Sequence, residues 1–544
     1  MKNKNSLDNL NLDSSEIDVF IKGNNNTNNN IQLNNQEIFK VSNENFNNKL
    51  KEENVIKILN ESNINNEDEL PLRNTNNKNI KYIELIYAEK GYTKVQYTAF
   101  IATFLVMSLE GLYLYLSTAL ISSFKFYYSL SDNNVSAFTS IMFIGIGIGS
   151  FSLSIISNYF TRQLILITSL IFLNVFLLIW SMLRSFYLVL IVRCVIGIFL
   201  GILVPLSNTI LCEVLPIKKR AFTLTLAWLG FALGEMLVLC NVALVMPQFE
   251  VDKVEKYLIS IVPYNLIIFL IIYFFLQDSP RNLLNNKKYK QAYLILEVIL
   301  NRKLTNFEKK TLKNESIHTV VNNNTTELLN NSLTTTANLQ RRKKDNSFVA
   351  LYNSKYLKTS IIINIIGVFS SALLYGPMLI SNLEITMSTF DHKESGSILK
   401  MLFIVSLSSI SNPIGGVICE VSFIGRRLSC VIACIISIIS SVLIIVNYEN
   451  KVFYNGVLSF GSFLLVSVLT SYVLELFPTR YRDIAVSLFY TSMRIGGFSS
   501  QFFFPAMYYS NAILPYYFYC LFYIIIIVSF YLLPYDTYGR GLDD

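Results

Sequence analysis

Charge is scarce in this chain. Only 15% of its 544 residues are Asp, Glu, Lys or Arg, while 52% are hydrophobic and the mean hydropathy is +0.43. Soluble domains carry about 25% charge, so a water-soluble globule is excluded for most of the sequence, and its bulk is read as lying in lipid. Histidine is nearly missing, with two residues, His318 and His392, both in predicted loops. The seven cysteines (Cys194, Cys212, Cys240, Cys419, Cys430, Cys434, Cys520) fall inside or beside apolar runs. None has metal-ligand spacing in a polar setting, so they read as buried free thiols. No hydrolase-like or metal constellation can be assembled from what remains, which argues against an enzyme and against any cofactor. No signal-peptide core followed by a small-residue cleavage site stands in the first residues.

Long apolar runs are what the chain does have. A bilayer-spanning helix needs about 20 mainly apolar residues, and twelve segments qualify: 98–122, 135–159, 164–183, 187–211, 221–246 and 257–276, then 359–383, 397–419, 428–447, 452–474, 484–509 and 514–533. Residues 1–80 are rich in Asn, Lys, Glu and Ser and read as a disordered tail. Between the two sets of six lies a polar span. It contains an amphipathic helix expected over Tyr289 to Leu300, Asn/Thr-rich sequence, and the basic run Arg341-Arg342-Lys343-Lys344. The division is therefore a tail over 1–80, a six-helix half over 81–276, a linker over 277–358 and a second half over 359–544.

One short pattern occurs twice. Glu-x-x-Pro-x-x-x-Arg stands at Glu213, Pro216 and Arg220, and again 262 residues later at Glu475, Pro478 and Arg482. Arg162 and Arg426 keep nearly the same offset, 264 residues. Two features repeated in register mark a duplicated chain with two homologous halves. An acid, a helix-stopping proline and an arginine at a membrane face can lock helix ends together, and Gly425, Arg426 and Arg427 join them as gating or structural positions.

The basic residues set an orientation. Arg162, Lys218-Lys219-Arg220, Arg426-Arg427, Arg480, Arg482 and the linker share one side. The loops on the other side, Glu250 to Lys256, Glu384 to Glu394 and Tyr448 to Lys451, are mixed or acidic. The basic side is expected in the cytoplasm with both termini, in a plasma or organelle membrane.

The lead-in Gly91-Tyr92-Thr93-Lys94-Val95-Gln96-Tyr97, the run Arg193, Gly197, Gly201, Pro205, Glu213, Pro216, the segment QDSPRNLL, Tyr375-Gly376-Pro377, Met493-Arg494-Ile495-Gly496-Gly497 and the closing LPYDTYGRGL together resemble the major facilitator superfamily. Within it they look like the branch of synaptic-vesicle-2-related proteins, niacin-type permeases and organic ion transporters. The resemblance runs from about Gly91 to Asp544 and implies the major facilitator fold, all-α, with twelve transmembrane helices. The chain departs from the superfamily's usual loop of Gly, Asp and Gly-Arg-Arg, having Ser154, Asn158, Thr161, Arg162 and Gln163 there, and Ser422 stands where the second copy usually has an acid. An acidic pair common in the branch is replaced by Leu109 and Leu112, with Glu110 alone nearby.

Ionisable residues inside a bilayer cost roughly 2.5–3.5 kcal/mol each and mark partners or cavities. Arg494, about 11 residues into its segment, either contacts substrate through its planar fork or locks its helix to an acid. In organic ion transporters the corresponding position tends to be basic in anion carriers, which by resemblance favours an anion. Glu110 is a candidate proton-linked group that exchanges Arg193 or Arg494 for a proton, or else a static partner of Arg193. Glu235 is the fourth intramembrane charge. Tyr113, Tyr115 and Tyr375 are candidate cavity residues, with packing as their alternative. The glycines Gly145, Gly147 and Gly149 read as close helix packing.

The expectation is a monomeric secondary transporter in the lipid bilayer, without nucleic-acid partners. It would carry a small organic anion, a vitamin-like monocarboxylate of nicotinate or pantothenate type, in symport with protons. Alternatives are an organic cation or drug-like molecule countered by Glu110 or Glu235, a sugar, or a non-transporting receptor or vesicle-membrane protein on the same scaffold.

Overall fold

A chain that crosses lipid must satisfy its backbone hydrogen bonds internally, and each of the apolar runs is helical. The computed structural model describes residues 82–313 and 356–538, apart from short gaps at 120, 130–131, 158–159, 217–218, 247–252, 393–396, 448, 478 and 534–535. The expected tail, the basic run of the linker and Pro478 lie outside the described residues. These belong to one unit, Asn77–Asp544, and contain no strand.

A short α1 (Tyr82–Lys90) precedes the first long helix, α2 (Lys94–Ala119), which leads through α3 (Ile121–Tyr127) to α4 (Asp132–Ile156), α5 (Arg162–Met182) and α6 (Phe186–Val214). The fifth apolar run is two helices, α7 (Arg220–Ala227) and α8 (Leu229–Val245), joined at Trp228, and α9 (Val254–Phe275) completes the first set. The linker opens with α10 (Pro280–Asn285) and α11 (Tyr289–Leu300). The second set is α12 (Leu357–His392), α13 (Ser397–Cys419), α14 (Gly425–Val446), α15 (Lys451–Leu476), α16 (Thr479–Ser510) and α17 (Leu514–Tyr531).

Several helices begin before the sequence reading had them start. Arg162, Arg220, Arg426 and Arg482 all sit in or beside the first turn of a helix, and each is at most 3% exposed. A hydropathy window stops at such residues, whereas the fold continues the helix through them because ion pairs and carbonyls neutralise them. Among the described residues, eleven helices are long and apolar enough to span a bilayer, with α7 and α8 taken together. The twelfth, α16, carries Arg482, Asp483 and Arg494.

Packing repeats across the linker. In the first set α2 lies on α8 and α4 on α6; in the second α12 lies on α16 and α13 on α15. The two sets meet where α4 packs on α16 and α8 on α13, contacts that exchange under a twofold relation of the halves. Gly145 and Gly149 let α4 approach α6, since an added Cβ would stand 2.1 Å from the Cys194 carbonyl oxygen and 2.0 Å from that of Ile198. Gly147 faces the other way, toward Arg494. Large apolar residues on the outside, such as Ile171, Phe172 and Leu178 of α5 and Ile267 and Phe274 of α9, are exposed, as a lipid-facing surface requires.

The opening of the linker is ordered by its own capping. Ser279 accepts a hydrogen bond from the Asn282 amide and Pro280 starts α10, a serine cap with proline at the first helical position. Leu283 and Leu284 of α10 and Leu296, Ile299 and Leu300 of α11 then bury against Ile83, Ile86 and Tyr87 of α1. This makes a small second core beside the membrane bundle. Its charged tie is Glu84, which receives Arg281 Nη2 at 2.9 Å and lies 3.8 Å from Arg220.

Candidate functional site

Two polar layers interrupt the apolar bundle. The first is at mid-helix. Arg494 of α16 donates through Nη2 to Glu110 Oε1 of α2, and through Nη1 to the Tyr375 hydroxyl of α12 at 2.8 Å. Glu110 is 0% exposed and Arg494 2%, so the pair sits in low dielectric, where a full partner is what makes a charge tolerable. Glu110 Oε2 and Arg494 Nε have no hydrogen-bond partner. Around them the Tyr375 ring meets Phe143 of α4 edge-on at 4.8 Å, and Asn208 of α6 donates to the Tyr490 hydroxyl of α16 at 3.2 Å. The ion pair, the ring contact and the amide–phenol bond all join the first six helices to the last six.

Of the residues marked in the sequence, Glu110, Tyr375 and Arg494 therefore come together. Tyr115 lies one layer further along α2, donating to Asn382 Oδ1 of α12 at 3.3 Å, while Asn382 Nδ2 donates to Thr118 at 3.1 Å. Glu235 of α8 is buried, and its Oε2 has no partner. Two residues go elsewhere. The Tyr113 hydroxyl accepts from Asn265 Nδ2 of α9 at 2.6 Å, inside the first set of helices. Arg193 does not meet Glu110; it donates to Ser117 at 2.5 Å, with its guanidinium 3.9 Å from the Phe138 ring centroid and 4.9 Å from that of Trp180. Two aromatic faces hold this cation, and no acid among the described residues does.

The second layer is at the end of the bundle that carries the basic loops. The arginines of the repeated motif cap helix ends. Arg482 donates to the carbonyls of Leu474 at 2.9 Å and Phe477 at 3.1 Å, and Arg220 to that of Leu215 at 3.3 Å, satisfying acceptors a helix terminus leaves open. The glutamates of the motif go to the other repeated arginine: Arg162 to Glu213 at 2.5 Å, Arg426 to Glu475 at 3.1 Å. Two further bonds cross between the halves. Arg162 donates to both oxygens of Asp483 at 2.8 and 2.9 Å, and Arg482 lies 3.6 Å from Glu213. On the other flank Glu420 accepts from the Phe222 amide at 3.3 Å and lies 3.8 Å from Arg426. Burial raises the Glu420 carboxyl above its usual range, and Arg426 opposes that shift.

Asp278 and Asp536 extend the repeat. Each follows the last span of its half and accepts from the first turn of the helix behind the basic loop: Gln163 N to Asp278 at 3.2 Å, Arg427 N to Asp536 at 2.8 Å. A carboxylate there complements the positive end of the helix dipole. Gly425 has φ +64° and an added Cβ would stand 2.7 Å from the Asp536 carboxylate, so both backbone and space require glycine. Arg427 adds a bond from Nη2 to the Phe530 carbonyl at 2.6 Å. Asp278, Asp483 and Asp536 were not singled out from the sequence. Asp483 had a signal, since it directly follows the motif arginine, but the matching place in the first copy holds Ala221.

Bonds between the halves thus stand in the central layer, beyond it at Tyr115 and at the basic end. The sequence profile of the Major Facilitator Superfamily matches residues 99–500. The chain belongs to that family. It is a multi-pass membrane protein of the secondary transporter class, not an enzyme. Major facilitator structures with the same fold include the proton:xylose symporter XylE bound to 6-bromo-6-deoxy-D-glucose. It matches with a TM-score of 0.65 at 16% identity over 82% of this chain and 98% of that one. A partially occluded inward-open form of XylE from E. coli matches with a TM-score of 0.61 at 15% identity, over 82% and 100%. No curated protein sequence matches the chain.

Proposed function

We propose that this facilitator is a proton-coupled symporter in which Glu110 and Arg494 exchange a proton for the charge of a small organic anion. The observation that carries the reading is their buried ion pair, which joins α2 to α16 across the two halves. A proton on Glu110 removes Arg494's counter-charge, and a substrate carboxylate then restores it on the same guanidinium. Proton and anion enter together because either alone leaves a charge unmatched in the bilayer. Tyr375, already bonded to Arg494, lies where it would orient the substrate. Rocking of the halves opens one layer of cross-half bonds while the other stays shut. The basic end is assigned to the cytoplasm by the positive-inside rule, and the 1–80, 81–276, 277–358 and 359–544 division fits that cycle. The resemblance of Met493-Arg494-Ile495-Gly496-Gly497 to organic ion and niacin-type carriers supports a monocarboxylate.

A sugar is the second reading, and it is the one the structural relatives support, since XylE is a proton:xylose symporter. Asn208, Asn382, Thr118 and Tyr490 supply uncharged donors and acceptors in and beside the central layer, and a paired Glu110 and Arg494 leave no net charge between them for an anion to seek. The test is uptake of radiolabelled monocarboxylates and xylose into proteoliposomes, with and without an inward proton gradient. Carboxylate uptake driven by the gradient and abolished in Arg494→Ala supports the anion. Xylose uptake with no carboxylate uptake overturns it in favour of the sugar.

A further inference from the structure

A second buried acid stands in the bundle beside the central ion pair. Glu110 and Arg494 neutralise one another, but Glu235 of α8, 1% exposed, has no ion-pair partner among the described residues, and its Oε2 has no hydrogen bond. It is not remote from the site. Gly234, its neighbour in α8, packs against Ser108 and Leu112 of α2, the residues two positions before and after Glu110, and Glu110 is bonded to Arg494. The position is fixed, because Gly234 brings α8 against α2 so closely that an added Cβ would stand 2.0 Å from the Ser108 carbonyl oxygen. A buried carboxyl at the level of the Glu110–Arg494 pair, with an oxygen that no protein group bonds, is placed for a ligand and not for the lipid.

We propose that Glu235 receives a cationic amine of the substrate, so that the site takes an aminocarboxylate zwitterion with its carboxylate on Arg494 and its ammonium on Glu235. The inference rests on the reading that Arg494 takes the substrate's carboxylate, and it narrows the substrate class. Charge counting favours it. In the empty site one carboxyl is left over. A plain monocarboxylate entering with a proton on Glu110 pairs with Arg494 and leaves Glu235 unmatched still. A zwitterion entering with the same proton gives Arg494 and Glu235 each a partner of opposite charge, and an unpartnered ionisable group is what a buried site tolerates least.

The experiment compares matched pairs in proteoliposomes under an inward proton gradient: propanoate with β-alanine, pentanoate with 5-aminopentanoate, and 3-phenylpropanoate with phenylalanine, with xylose alongside. The expected result is that at least one amino form has a KM on the order of tenfold to a hundredfold below its deaminated partner, the value of a charge-assisted hydrogen bond. Glu235→Gln should remove that preference while leaving uptake of the deaminated acid in place, and Glu235→Asp should keep part of it. The wild-type comparison needs no variant and stands even if Glu235→Gln fails to fold. Gradient-driven, Arg494-dependent uptake in which the plain acids equal or exceed their amino partners overturns the zwitterion but keeps the anion reading. Preference surviving in Glu235→Gln also overturns it. Uptake of xylose alone, or of none of these probes, overturns both.

Discussion

Arg162 and Asp483 stand 321 residues apart in the chain, yet the guanidinium of one grips both carboxylate oxygens of the other. The bond ties α5 of the first half to α16 of the second, and Glu213 shares the same arginine at 2.5 Å. Asp483 is 23% exposed, so solvent weakens the pair, and Asp483→Asn is expected to reduce the closure of the basic end by about 1–3 kcal/mol. Cys212 reports on it, being fully buried with its thiol against the Leu474 carbonyl of the opposite half. Maleimide modification of Cys212, read by peptide mass, should speed up about tenfold or more in Asp483→Asn. An unchanged rate would show that this pair does not hold the end shut.

The central pair calls for a double-mutant cycle. Removing one partner of a buried ion pair costs about 3–5 kcal/mol because the other charge is stranded. Arg494→Met and Glu110→Gln should each lower the melting temperature in detergent, and the double variant should be less damaged than the sum of the two. Additive effects would mean that the two residues do not depend on one another for stability.

Gly496 tests the packing of α16 on α12. An added Cβ there would stand 1.9 Å from the Val368 carbonyl oxygen, which no rotamer change can relieve. Gly496→Ala should cost at least the 1–3 kcal/mol typical of overpacking, roughly, and lower the melting temperature clearly. Gly147→Ala, whose Cβ would meet only Arg494 Cβ at 3.4 Å, should melt close to wild type. Equal melting of the two alanine variants would refute the close approach.

Asp278 carries a pH dependence. Burial raises its carboxyl above the usual range, opposed by the Gln163 amide and Arg162. A carboxyl whose folded pKa exceeds its unfolded one contributes stability that is fully present below the unfolded value and is lost as pH rises through the folded one. The melting temperature of wild type relative to Asp278→Asn should therefore fall between about pH 4 and pH 7. A wild-type advantage that grows over that range would contradict the assignment.

Much of the architecture was legible beforehand. All twelve apolar runs are helices, because run length is a local property that the thickness of a bilayer enforces. The repeat of Arg162 and Glu213 in Arg426 and Glu475 was visible as spacing, and Tyr289 to Leu300 showed its amphipathic period. The helix starts were not legible, since Arg162, Arg220, Arg426 and Arg482 look like loop residues until their partners are known. Nor was the small core of α1, α10 and α11, whose apolar residues come from stretches too short to stand out. Asp483 escaped because its repeat partner is Ala221: the duplication is symmetric in helices but not in the charges that cross between halves.

The sequence by itself determined which segments enter lipid, that they form two similar sets, and that four ionisable residues, Glu110, Arg193, Glu235 and Arg494, must be accounted for inside. Only the tertiary structure decided their partners. Arg494 found Glu110, 384 positions away, Arg193 found Phe138 and Trp180, and Glu235 found no cation among the described residues. Each span forms on its own because its hydrogen bonds close within a few residues. A buried charge has no such local solution, and its partner is fixed by which helix faces stack when twelve helices pack together.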